Sequence, residues 1–301
     1  MSFFKKVYVK SRLMWHEDLY DSYVEKSIKE TQTSFLQNQA LLNQKINWNN
    51  FEQYKFAKEI HSCCPMYDAI GDKYSLIRIG QRDDGGYIML KPFSREKVAY
   101  SIGIADDVSW DLMMAKGGYD VYQYDHTIKG LPIQNDKFHW EQIGLAPKQD
   151  KKNKLDTLEN LMKKNGHMEK EGMILKMDIE GCEWDILESI DSTIFDKFDQ
   201  ILFELHWIIK KYEKSKVLDG LKKINCTHGM IHVHANNFEP LLYTKDLITP
   251  DTFEATFVNR KRYELKLSEV VLPRELDVPC CSSKPDWILG GWNIDQIGRQ
   301  D

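Results

Sequence analysis

The chain has 301 residues, with 41 Lys plus Arg against 46 Asp plus Glu for a formal charge of −5, and 42% of it is hydrophobic. That much apolar material builds a full core and excludes wholesale disorder, and no apolar run approaches the ~18 residues that a membrane-spanning helix requires. The slight acidity argues against a dedicated nucleic-acid binder, which carries a basic face.

Residues 1–65 are expected to form a helical N-terminal arm and residues 66–301 the main domain. The arm has few turn formers and places Val24, Ile28, Phe35, Leu42 and Ile46 at wide, helix-compatible spacing. It either packs on the main domain or pairs with a second subunit in a homodimer. The opening residues, MSFFKKVYVKSRLMWHEDLY, break every apolar stretch with charge. No secretory core can be built from them, so the chain is expected to be cytoplasmic. Cys63, Cys64, Cys182, Cys226, Cys280 and Cys281 include two adjacent pairs, a spacing that suits neither a zinc knuckle nor a disulfide framework. Reduced thiols are the expectation.

From about residue 70, short apolar runs alternate with helical stretches. Expected strands are Val98–Ile102, Asp120–Tyr124, Lys137–Trp140, Met173–Met177, Gln200–Leu205, Gly229–Val233 and Ala255–Val258. Between them, apolar residues recur at helical spacing at Leu155, Leu158, Leu161 and Met162, at Trp184, Leu187 and Ile190, and at Ile208, Ile209, Tyr212 and Leu218. This alternation predicts an α/β fold, a mostly parallel Rossmann-like sheet with helices on both faces. The tail beyond residue 265 has no assignable pattern.

In such a sheet, ligands gather beyond the carboxyl ends of the strands. Gly103 directly follows the first strand, where the lack of a Cβ permits close approach. The dinucleotide pattern GxGxxG is absent, since Ala105 and Val108 occupy its later positions. Asp125 ends the second strand, 22 residues beyond Gly103, where an acid can accept both hydroxyls of a ribose or simply cap the next helix. Without the pyrophosphate glycines, the pair points to an adenosyl ligand lacking phosphate. Further along, Asp178, Glu180 and Glu183 crowd the mouth of one strand, partly favoured there by the dipole of the helix that follows.

At these residues the chain resembles the FkbM-type S-adenosylmethionine-dependent methyltransferases. Their LD-x-L helix start is matched by Leu155-Asp156-Thr157-Leu158. Their K-I-D-V-E-G-x-E-x-x-x-L stretch is matched by Lys176-Met177-Asp178-Ile179-Glu180-Gly181-Cys182-Glu183 with Leu187. The likeness covers roughly residues 98–206. Arg78-Ile79-Gly80 with Asp83-Asp84-Gly85-Gly86-Tyr87 is similar to the opening block of a related branch. The resemblance implies a seven-stranded class I methyltransferase domain over 66–301. Gly103 and the Ala105–Asp107 turn, Asp106 included, would approach the methionine end of the cofactor, and Ser101 would be among the cofactor-binding residues. Asp125 would take the ribose, residues near His139–Gln142 would edge the adenine, and His126 and Asp178 would also bind the cofactor. It further implies an O-methyltransferase acting on a small polar acceptor, a sugar or sugar nucleotide of bacterial surface polysaccharide.

An alcohol needs a base to become a good nucleophile. The candidates are His206, which follows the strand Ile201–Leu205, and His234, which shares a strand face with His232. Each has the alternative of a satisfied core histidine. Asp178 and Glu180 would orient the base or hold the acceptor. Asp178, Glu204, His206, His234 and Asn236 could instead surround Mg²⁺ or Mn²⁺. Two other readings remain open: a non-catalytic binding domain on the same fold, and NAD-dependent oxidoreduction, which the first turn disfavours. A nucleic-acid methyltransferase is disfavoured by the acidity and by the absence of an Asp/Asn-Pro-Pro-Tyr loop.

Overall fold

A computed structural model describes residues 51–244 and 246–294; the arm up to residue 50, and with it the proposed dimer contact, lies outside them. Helix α1 (Phe51–Cys63) buries Phe56, Ala57, Ile60 and His61. The His61 ring makes contacts of 2.8 Å to the Trp292 carbonyl and 3.0 Å to Thr249 Oγ1, which tie the helix into the core. The last part of the expected arm is thus an integral piece of the folded unit. An antiparallel hairpin follows, β1 (Ser75–Ile79) and β2 (Tyr87–Lys91).

The main sheet comprises β3 (Val98–Ile102), β4 (Asp120–Tyr124), β5 (Phe138–Glu141), β6 (Met173–Met177), β7 (Phe198–Leu205), β8 (His228–Ala235) and β9 (Phe253–Asn259). Its spatial order is β8-β9-β7-β6-β3-β4-β5. Strand β9 runs antiparallel to both neighbours, and the other adjacent pairs are parallel. The helices are α2 (Ser109–Lys116), α3 (Leu158–Lys164), α4 (Glu183–Ser189), α5 (Ser192–Phe195) and α6 (Lys214–Thr227). This is a Rossmann-like α/β arrangement. Every residue of β3, β6 and β7 is buried, as central strands covered on both faces must be. The chain runs outward from β3 to β4 and β5, then crosses back to β6. The switch point therefore lies between the tips of β3 and β6.

Strands β3, β4 and β6 fall where their apolar runs predict, whereas β7, β8 and β9 extend beyond them. Two helical expectations need correction. Leu155 is outside helix α3, because Leu155–Asp156 pairs with Gly144–Leu145 in a short parallel ladder and Thr157 then caps the helix, its hydroxyl accepting from the Asn160 amide at 3.2 Å. Thr157→Ala is expected to cost about 1 kcal/mol in urea unfolding, the usual worth of such a cap. Ile208 and Ile209 form no helix with Leu218. Their amides donate to the carbonyl and the carboxylate of Asp251 at 2.9 and 2.8 Å, which pins a turn before α6.

The unassigned tail is built in rather than loose. Val271–Leu272 pairs with Gly290–Gly291, and fully buried Trp292 donates to the Cys64 carbonyl at 2.8 Å. All six cysteines are free thiols. Among the described residues, no helix is long and apolar enough to cross a membrane.

Candidate active site

The site begins with the glycine that ends β3. Gly103 has φ +80°, its amide donates to the Tyr124 carbonyl at 3.0 Å, and the neighbouring Asp178 amide donates to the Ile102 carbonyl at 3.0 Å. A Cβ on Gly103 would lie 1.6 Å from the Asp178 carbonyl oxygen. The tips of β3 and β6 therefore touch through bare backbone, and only glycine fits between them.

Asp125, at the tip of β4, holds the turn that follows Gly103. Its Oδ2 accepts the amides of Ile104 and Ala105, both at 2.9 Å, and its Oδ1 accepts the amide and hydroxyl of Thr127 at 2.7 and 2.6 Å. Burial alone would raise its pKa. The Thr127 hydroxyl and these amides outweigh burial and hold the carboxyl below the ordinary value. All four acceptor positions of a carboxylate are thus taken by the chain itself. Asp125→Asn keeps the shape but replaces two acceptor sites with donors that face amides. We expect a loss of about 2 kcal/mol at neutral pH. A depressed carboxyl contributes its stability above its unfolded pKa and loses it as pH falls through the folded one. The gap between wild type and variant should therefore narrow in acid, as urea unfolding across the range would show.

Beyond these strand tips lies a cavity of about 300 Å³. Of the expected cofactor residues, Gly103, Ala105, Asp106, Asp125, His126 and Asp178 line it, as does Glu180. Ser101 is fully buried within β3 and is absent from the wall. Gln142 stands behind His126, its side-chain amide 3.4 Å from that residue's carbonyl, and accepts from Lys154. Ile102, Ile104, Trp110 and Leu145 supply apolar wall. The polar wall is overwhelmingly acidic, with Asp84, Asp106, Asp107, Asp178, Glu180 and Glu204 facing the cavity and Lys176 as its sole Lys or Arg among the described residues.

Several wall residues carry no sequence signal beyond the opening-block likeness. The loop joining β1 to β2 brings Gln81, Asp84 and Gly85 to one side of the cavity. It docks on the start of α2, where the Gln81 amide donates to Ser109 Oγ at 2.9 Å and the Asp107 carboxylate accepts from the Ser109 amide at 2.8 Å. Tyr87, opening β2, donates its hydroxyl to Asp178 Oδ2 at 3.1 Å. Lys176, inside β6, donates to the Gly103 carbonyl at 3.0 Å.

The acceptor side is built at the tips of β6 and β7. Asp178, Glu204 and His206 each turn one potential ligand atom to within 4.8 Å of the others. His206 Nδ1 lies 3.0 Å from Glu183 Oε1, and the same oxygen accepts the amides of Ile179 and Gly181 at 3.0 and 3.3 Å. Glu183 thus fixes both the ring and the turn that carries Glu180, a residue at φ +55°. Burial would lower the His206 pKa, but the Glu183 contact and the charges of Asp178 and Glu180 raise it above its ordinary value. Glu204 is pushed well above the carboxylate range by burial, then by Asp178, Glu254 and Asp84. Asn236 donates to Glu204 Oε1 at 2.6 Å.

His234 stands apart from this group. Its Nδ1 lies 3.3 Å from Glu254 Oε2 and its Nε2 3.0 Å from Asp286 Oδ1. Both ring nitrogens are engaged in a buried cluster that also holds Cys280. Trp184 is fully buried and donates to the His206 carbonyl at 2.7 Å.

No protein-family model matches the chain, and no solved structure matches it. Over 118 residues it is 25% identical to "Probable methyltransferase-like protein 24" of Homo sapiens and, to the same extent, of Rattus norvegicus. The similarity takes in 36% of this chain and 32% of each of those proteins. The chain thus spans about a third of the length of the curated relatives it matches. The likeness is to methyltransferase-like proteins broadly. The FkbM resemblance rests on the quoted motifs alone.

Proposed function

We propose that this chain is an S-adenosylmethionine-dependent methyltransferase of the class I type. The reading rests on one observation above all, the charge of the cavity at the switch point. A dinucleotide needs a wall that tolerates two phosphates, and a wall rich in carboxylates with one lysine repels them. The same wall favours a ligand that carries a sulfonium cation. The motif likeness to FkbM-type enzymes and the distant similarity to methyltransferase-like proteins agree with it.

In this reading, the methionine end of the donor lies against Gly103 and the Ala105–Asp106 turn, and the ribose and adenine lie toward Asp125, His126 and the apolar wall. Asp125 acts mainly through the turn it holds, so neighbouring groups meet the ribose hydroxyls. The acceptor is a hydroxyl of a small polar molecule, with a sugar or sugar nucleotide first to be tested. It approaches from the side of Asp178, Glu180 and His206. Methyl transfer is an in-line displacement on a carbon the cofactor has already activated, so positioning supplies much of the rate.

Calorimetric titration of the full chain tests the donor directly. Saturable micromolar binding of S-adenosylmethionine, with none of NAD, is the expected result. Absence of binding would leave a non-catalytic domain as the better reading. With the donor bound, nucleotide-linked sugars would be screened for the ~14 Da gain of one methylene-equivalent, the mass signature of the transfer.

A further inference from the structure

We propose that Asp178, Glu204 and His206 form a divalent-cation site that opens into the cavity. The proposal rests on the methyltransferase reading for its role, though not for the site itself.

Each of the three side chains has one polar atom held by an orienting partner, and each offers a ligand atom to a shared point. Asp178 receives Tyr87 on Oδ2 and Glu204 receives Asn236 on Oε1. His206 faces Glu183 through Nδ1. That contact selects the tautomer in which Nε2 bears the lone pair. Histidine ligands in metal sites are characteristically held by a carboxylate on the opposite nitrogen, and ligating carboxylates are themselves hydrogen-bonded. Here all three members have such a partner, drawn from three different segments of the chain.

The second observation is His206 Nε2 itself. Its side chain is 6% exposed, yet the nearest carboxylate oxygens stand 3.5 Å away on Glu180 and 3.7 Å away on Glu204. No hydrogen bond to Nε2 forms among the described residues. A hydrogen bond would draw these atoms to about 2.7–3.0 Å. Ligand atoms that share an ion at about 2.1 Å stand about 3–4 Å apart; the His206–Glu204 separation of 3.7 Å falls in that range, and the Asp178 ligand atom lies within 4.8 Å of both. The His234 cluster makes the contrast: there both ring nitrogens have carboxylate partners at 3.0 and 3.3 Å, and the network closes on itself.

Two oxygens and one imidazole nitrogen suit a borderline divalent ion such as Mn²⁺. Asp178 and Glu204 line the cavity, so the remaining coordination positions face the acceptor. A hydroxyl held there has its pKa lowered. Its proton passes to the carboxylate of Glu180, whose side chain is 80% exposed, and on to water. The oxygen's electron pair forms the new C–O bond to the donor methyl. The C–S bond breaks with its pair going to sulfur, which leaves a neutral thioether.

The test uses the full chain stripped with chelator and titrated with Mn²⁺, with free ion read by electron paramagnetic resonance. Saturation at one Mn²⁺ per chain is expected. Glu204→Gln and His206→Asn should each weaken it at least tenfold, whereas Cys280→Ser in the neighbouring cluster should leave it unchanged. Tyr87→Phe, which alters only an orienting contact, should weaken binding by a smaller factor and serves if the ligand variants fail to fold. No saturable Mn²⁺ binding, or binding unchanged in all three of the Glu204, His206 and Tyr87 variants, overturns the site. Parallel titration with S-adenosylmethionine separates the two claims. Donor binding without Mn²⁺ overturns only the cation site, and Mn²⁺ binding without donor supports the site while removing the methyltransferase reading.

Discussion

Gly103→Ala is expected to lower the thermal midpoint by about 6–12 °C and to abolish donor binding. The added Cβ would meet the Asp178 carbonyl oxygen at 1.6 Å. That atom belongs to a strand whose amide is itself bonded to the Ile102 carbonyl. Nothing flexible can yield, so the tips of β3 and β6 must separate. A residue at φ +80° also carries left-handed backbone strain of about 1–2 kcal/mol. The two together give a loss of about 3 kcal/mol, and a domain of this size shifts by about 2–4 °C for each kcal/mol. Gly118→Ala separates the two causes. Gly118 has φ +88°, but a Cβ there meets nothing within 4 Å, so that variant bears the backbone strain alone and should lose about 1–2 kcal/mol with donor affinity intact. Equal melting losses in the two variants would mean that the contact between the strand tips is not what holds the cavity floor.

Gly103 also shows how far the sequence reaches. A glycine after an apolar run announces a close approach, but what approaches is backbone from a strand about 75 residues on, which no local pattern encodes. Strands β3 and β6 were legible because burial on both faces leaves a mostly apolar run. Strands β7 and β8 run longer than their apolar cores. Their ends carry buried polar residues, Asp199 and Gln200 on one and His228 and His234 on the other, satisfied by partners elsewhere in the fold. Helical spacing misled where one residue captured the backbone, as Asp251 does with its carbonyl at Ile208 and its carboxylate at Ile209. The acids of the site were legible as a cluster. Their division of labour was not. Glu183 supports His206 and Asp125 supports a turn, because the number of hydrogen bonds a carboxylate accepts depends on which amides the fold delivers to it. Tyr87 and Lys176 were quoted only as members of motifs, and their apolar neighbourhoods within strands give no hint that one holds Asp178 and the other reaches the cavity.

Lys176→Met is expected to destabilise the fold by about 3–5 kcal/mol at neutral pH, as removing one partner from buried charges does. Lys176 is buried and lies between the Gly103 carbonyl, which it contacts at 3.0 Å, and the Tyr87 ring, 5.4 Å away. Asp111, also buried, accepts from the Gln123 side chain at 2.9 Å. Burial raises the Asp111 pKa, and the Lys176 charge opposes that rise, as does the hydrogen bond from Gln123. Without the lysine, Asp111 would hold its proton to higher pH still. A carboxyl whose folded pKa lies above its unfolded one binds more protons in the native state, so stability falls as pH rises through that interval. The deficit of the variant should therefore be greatest at neutral and alkaline pH and shrink as pH falls toward the ordinary carboxylate range. Urea unfolding along a pH series measures it. The same substitution makes the cavity more negative without changing its apolar wall. S-adenosylmethionine carries a sulfonium charge that its demethylated product lacks, so the affinity ratio of donor to product should rise, by about three- to tenfold at protein-like dielectric. A ratio that stays constant or falls would show that the wall does not read the charge on sulfur, and the strongest argument for a sulfonium ligand would go with it.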